Sequence, residues 1–170
     1  MAINRDSNVY TIVFATVMVV VVGGLLAFVS MSLKPMQQAN VKNEKMQNIL
    51  QAIGIAETDG VTRLEAGAKF NDFVKRRITI NYNGDIISDK TIEDEIDSQD
   101  KTDAFNIDIR KEYSNIIKSI MNKNKGDGAK INEEMMKADI HFPIFVCESG
   151  GKTFYVLSAS GKGLWDDVWG

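Results

Sequence analysis

The sequence predicts an α+β protein: a single N-terminal transmembrane helix, then a mainly antiparallel domain that is incomplete at its C-terminus. Three observations carry this. Residues 9–33 run for 25 positions without a charged side chain. At Arg77–Tyr82 the apolar period changes from helical to two, and Asn83-Gly84, a strong hairpin signal, follows at once. Finally, Phe142–Cys147 and Thr153–Leu157 are continuous apolar runs joined by Ser149-Gly150-Gly151-Lys152.

The apolar segment divides the chain into two materials. Through Lys34 the net charge is +1; the remainder carries 22 acids and 18 bases, a net −4. As a helix, residues 9–33 would be about 37 Å long, enough for a hydrocarbon core of about 30 Å with some tilt. The β-branched run Val19–Val22 favours a strand in water, but in lipid only intra-segment hydrogen bonds satisfy the backbone. A cleaved signal peptide has a shorter apolar core and a small-x-small cleavage site, which Ala27-Phe28-Val29 does not provide. A buried core helix of this length would show a polar side. The segment reads as a retained anchor. The flanking lysines Lys34, Lys42 and Lys45 lean towards a cytoplasmic C-terminal domain, by a margin of one or two charges.

After the anchor, Pro35 marks a place for a helix to restart. Met46, Ile49, Leu50 and Ile53 follow at helical spacing, so residues 36–53 read as an amphipathic stalk ending near Gly54 and packed on its own domain. A second helical pattern covers Leu64–Arg77, with Phe70, Phe73 and Val74 on one face. Ile86-Ile87 begins the return strand of the hairpin. Asp85–Asp103 holds eight acids and two bases and reads as a solvated loop, since the spacing of a calcium loop is missing. Alternation at Ile107 and Ile109 predicts a strand. Tyr113, Ile116, Ile117, Ile120 and Met121 predict a helix, broken at residues 122–128. The two terminal apolar runs predict a central hairpin covered on both faces. The expected organisation is a tail at 1–8, the membrane helix at 9–33, a stalk at 34–56 and a partial domain at 57–170.

Composition excludes several kinds of chemistry. One cysteine, Cys147, rules out an intramolecular disulfide and multi-cysteine metal sites, and one histidine, His141, rules out His-rich ones. An acidic domain is a poor partner for nucleic acid. Cys147 reads as a small buried residue and His141 as structural. Asp166-Asp167 is no paired-carboxylate site, because neighbours on a strand point to opposite faces. No P-loop, dinucleotide fingerprint, nucleophile elbow or HExxH is present, so neither catalytic nor metal-binding residues are expected.

The terminus Ser160-Gly161-Lys162-Gly163-Leu164-Trp165-Asp166-Asp167-Val168-Trp169-Gly170 holds both tryptophans. It reads either as a core turn plugged by tryptophan or as glycines that allow close backbone approach beside an apolar plate at Leu164-Trp165. Chain ends are ordinarily polar and frayed, so two bulky aromatics here predict a chain that stops inside its domain.

The order of pieces resembles the C subunit of the sodium-translocating NADH:quinone reductase, in its Bacteroidetes-like form. The resemblance covers essentially the whole chain. It rests on the anchor, the stalk 40–50, Asn81-Tyr82-Asn83-Gly84, Ala104–Tyr113, Phe142–Cys147 and, most specifically, Ser160–Trp165, similar to the family's glycine-rich GLW segment. The G subunit of the related Rnf complex shares the domain type. The resemblance implies an FMN-binding-type domain on the periplasmic side of the bacterial inner membrane, opposite to the lean of the charges. It implies FMN held covalently, through a phosphoester to a threonine of an S-G-A-T-x-T/S motif that this sequence lacks and that is expected beyond Gly170. It further implies, as partners, the other subunits of the complex, the membrane and a flavin-transferase. Gly163, Leu164 and Trp165 are the candidate cofactor-binding residues, Leu164 and Trp165 as ring contacts. The alternative from a different class is a single-pass adaptor that binds a partner through the acidic 85–103 segment.

Overall fold

The structure, a computed structural model, describes residues 8–55, 60–162 and 167–169, with 160–162 and 167–169 as backbone only. The chain forms two compact units, Met1–Glu44 and Lys45–Gly170, and the first helix, α1 (Asn8–Ala52), contributes to both.

Within the first unit α1 has the length and apolar composition to cross a membrane, and its side chains there are exposed. Thr16 and Ser32 donate back to the carbonyls of Ile12 and Phe28, each at 2.9 Å, so these hydroxyls need no water. The expected restart at Pro35 does not occur. Proline removes one i→i−4 bond, and here the helix continues through it. α1 ends at a turn in which Gly54 (φ +81°) donates its N–H to the Gln51 carbonyl at 2.9 Å.

In the second unit the last two turns of α1 are the face read from spacing: Met46, Ile49 and Leu50 are buried. The second helix, α2 (Arg63–Phe73), begins where the Glu65 carboxylate accepts from the Thr62 N–H and hydroxyl, and it buries Ala66 and Phe70. The helical pattern read out to Arg77 is cut short. Strand β1 (Val74–Ile80) starts immediately, because Val74 pairs with Cys147 across the sheet and tertiary pairing overrides the local period.

β1 turns into β2 (Ile86–Thr91) through the expected hairpin. The Gly84 N–H bonds to the Asn81 carbonyl and the Asn81 N–H to the Asp85 carbonyl, leaving a three-residue loop with Gly84 at φ +88°. The four-stranded sheet is antiparallel, in the order β2-β1-β3-β4, with β3 (Phe142–Ser149) and β4 (Lys152–Leu157) joined by Gly150 and Gly151, both at positive φ. β3 is central and largely buried. β4 is not: it is an edge strand, and Tyr155 and Leu157 on its outer face are 66% and 60% exposed. A central position for β4 would need a further neighbour, and none is hydrogen-bonded to it among the described residues.

Register places Arg77, Phe145 and Val156 on one face, with Val74, Cys147 and Phe154 beside them. Against this face pack Met46, Ile49 and Leu50 of α1, Ala66 and Phe70 of α2, and Ala104 and Phe105. Phe70 and Phe105 meet edge to face at 5.8 Å between centroids, a contact worth about 1 kcal/mol beyond its buried area.

Ile107–Arg110 is not a strand. Asp108 caps a helix by accepting from the Arg110 N–H at 3.1 Å, so the alternation is one buried residue, one cap and the start of α3 (Ile109–Glu112). α3 continues through a π-helical turn (Tyr113–Ile117) into α4 (Lys118–Lys123). The next helix, α5 (Gly128–Lys137), is not among the elements the apolar periods predict; its signal is Asp127, which accepts from the Lys130 N–H. α5 holds the hairpin tip: the Tyr82 hydroxyl donates to Asn132 at 3.0 Å, and the Asn83 amide donates to the Met136 carbonyl. Two short strands, β5 (Ser160–Lys162) and β6 (Asp167–Trp169), pair antiparallel at the end of the chain. The α+β class and the antiparallel order stand as expected.

Candidate functional site

The expected cofactor-binding residues Gly163, Leu164 and Trp165 lie outside the described residues, as does Asp166. Their neighbours are placed: β5 and β6 flank them, with Lys162 opposite Asp167.

Among the described residues the main polar constellation is built on β1. The side chain of Arg77 enters the core face, where its guanidinium meets the Asp103 carboxylate, Nε–Oδ1 at 3.1 Å and Nη2–Oδ2 at 3.1 Å. Nη2 also donates to the Asp94 carbonyl at 2.9 Å and Nη1 to the Thr91 carbonyl at 3.3 Å. Two residues along the strand, Thr79 Oγ1 donates to the Thr102 carbonyl at 2.7 Å. Asp103 corrects the solvated-loop reading of residues 85–103: it is 1% exposed, and its Oδ1 also accepts the Phe105 N–H. A fully satisfied pair of this kind holds one arrangement and has no spare lone pair aimed at a substrate.

Beside it, Lys45 reaches from α1 to the carbonyls of Phe105 (2.5 Å) and Ile107 (2.9 Å), with its ammonium 5.2 Å from the Phe105 ring centroid. Burial pulls the Lys45 ammonium down to about 8, against the attraction of Asp108 and Asp103. From the sequence Lys45 counts only as a membrane-flank charge.

The other titratable candidates are structural in geometry. Cys147 is fully buried, and burial pushes its thiol up to about 11. The His141 N–H donates to Glu112 Oε2 at 3.2 Å, and its imidazole lies 3.4 Å from Asp139. An open depression of about 350 Å³ lies between Asp72, Lys75 and the β3–β4 turn. Its lysines, Lys75 and Lys152, are matched by Asp72 and Glu148, so it focuses no net charge.

A flavin needs donors for its phosphate and a close backbone approach. Among the described residues every buried side-chain nitrogen and oxygen already has a partner. A Cβ added at Gly54, Gly84, Gly126, Gly128, Gly150 or Gly151 would meet nothing within 4 Å, so none of these positions owes its glycine to a close neighbour in the protein.

No family model matches the chain, and no curated protein matches it. Among solved structures, the chain is similar to the crystal structure of the C subunit of the Na(+)-translocating NADH-quinone reductase from Parabacteroides distasonis. The TM-score is 0.47 at 21% identity, over 81% of this chain and 48% of that one. This chain thus spans about half the length of that protein. Likeness at this level carries no argument about chemistry.

Proposed function

We propose that the protein is a membrane-anchored electron-transfer subunit of an NADH:quinone oxidoreductase complex that pumps sodium. In this reading the domain lies on the periplasmic side and carries FMN on a threonine that follows the GLW segment beyond Gly170. The observation that supports it is a coincidence of sequence and topology. An apolar helix leads into an antiparallel α+β domain, and the resembling stretches fall on its landmarks. Asn81–Gly84 makes the β1–β2 turn, Ala104 and Phe105 fill the core, and Phe142–Cys147 forms most of the central strand. Such a subunit needs a held cofactor and neighbours rather than a nucleophile or a general base. The described side chains assign no step of the electron path.

The test is in-gel flavin fluorescence after denaturing electrophoresis of the complete gene product, co-expressed with a flavin-transferase. A fluorescent band supports the reading. An unlabelled band sinks it and favours the adaptor. In the labelled protein, Trp165→Ala should alter flavin absorption or potential; an unchanged spectrum and potential would remove Trp165 from the ring contacts.

A further inference from the structure

Between Thr91 and Ile109 the chain has no helix or strand. A structureless connection this long inside a compact domain is uncommon and tends to be functional. Here it folds on itself: Asn106 Nδ2 donates to the carbonyls of Asp97 (2.6 Å) and Asp100 (2.7 Å), closing the segment into one body. That body is fastened to β1 by Arg77 and Thr79, and to α1 by Lys45.

We propose that residues 92–107 form a strap closed over β1, and that Lys45 is the latch that couples its closure to the end of α1. The fasteners are not equivalent. Parting Arg77 from Asp103 would strand two charges that are 3% and 1% exposed, so that contact opens last. Lys45 is only part-buried and donates to main-chain carbonyls, so water replaces its partners at lower cost. It also supplies polar contacts from α1 to the strap, beside the apolar packing of Met46, Ile49 and Leu50 with Ala104 and Phe105. Phe105 is pinned there from both sides, its ring against Phe70 and its carbonyl on Lys45. Displacing the α1 end frees the Phe105 carbonyl first, and the strap then loosens around the Arg77–Asp103 pair and the buried Ala104 and Phe105, which part last. The inference is independent of the flavin reading.

The test is hydrogen exchange on the full chain in lipid nanodiscs, comparing it with Lys45→Met. The reporters are the Asp100 and Asn106 amides, bonded within the strap to the Asp97 and Asp103 carbonyls. In the variant they should exchange roughly ten- to a hundredfold faster, while β1–β3 ladder amides keep their rates. Unchanged strap amides overturn the latch. Equal acceleration of the ladder also overturns it, since Lys45 would then be a general stability contact. Should Lys45→Met fail to fold, Lys45→Gln is read by the same two outcomes.

Discussion

The guanidinium of Arg77 on β1 and the carboxylate of Asp103, 26 positions later, form an ion pair with Nη2–Oδ2 at 3.1 Å and with both side chains almost fully excluded from water. Removing one member leaves the other buried and unpaired. Asp103→Ala is therefore expected to cost about 3–5 kcal/mol in a denaturant titration. The double variant Arg77→Met/Asp103→Leu should recover much of that loss. A double variant no more stable than the single would show that the pair contributes net stability.

Lys45 links stability to pH. Its native pKa, about 8, lies below the ordinary 10.5, so between these values the unfolded chain binds more protons. Stability contributed by this group should thus rise as pH rises from about 8 to 10.5, and be flat below that window. The measurement is the difference in denaturation midpoint between the protein and Lys45→Met across that range. A difference that stays constant or runs the other way contradicts the assignment.

Cys147 should be a silent thiol. With its pKa pushed from 9.0 up to about 11, the thiolate fraction near neutrality falls about a hundredfold, and burial adds a steric barrier. Alkylation at mildly alkaline pH should proceed only as fast as the protein unfolds and become rapid in denaturant. Fast labelling of the native protein would place Cys147 in an accessible site.

A charge at the centre of the apolar helix should weaken its insertion into a bilayer. Val21→Arg puts a guanidinium mid-way along residues 9–33, at a cost of about 2.5–3.5 kcal/mol for insertion. Fourteen Val, Ile, Leu and Phe side chains in residues 9–33 outweigh that cost, so the variant should stay with the membrane after alkaline extraction while a second central arginine releases it. Release of the unaltered protein by alkaline extraction would argue against a spanning helix.

What could be read from the sequence was what neighbours along the chain decide. The long apolar helix, the buried stripe Met46-Ile49-Leu50, the Asn83-Gly84 turn and the apolar strand Phe142–Cys147 each declare themselves within a few residues, through period, composition or turn chemistry. Helix α5 is harder to read because, beyond its cap Asp127, its apolar face is short, Ile131 and Met135 at i, i+4 spacing. The predicted ring contacts Leu164 and Trp165 lie outside the described residues and stay a proposal.

The sequence by itself thus determined that a lipid-length helix precedes a two-period α+β domain, because hydrophobic burial and backbone hydrogen bonding act locally. Only the tertiary structure decided that Val74 leaves its helix for a strand, that β4 lies at an edge among the described residues, and that Asp103, inside the most acidic stretch, is buried. Each of these depends on a partner many residues away: Cys147 for Val74, the position next to β3 for β4, and Arg77 for Asp103. A carboxylate reads as solvated until a guanidinium is delivered to it. The delivery is made by the register of β1, which no local pattern records.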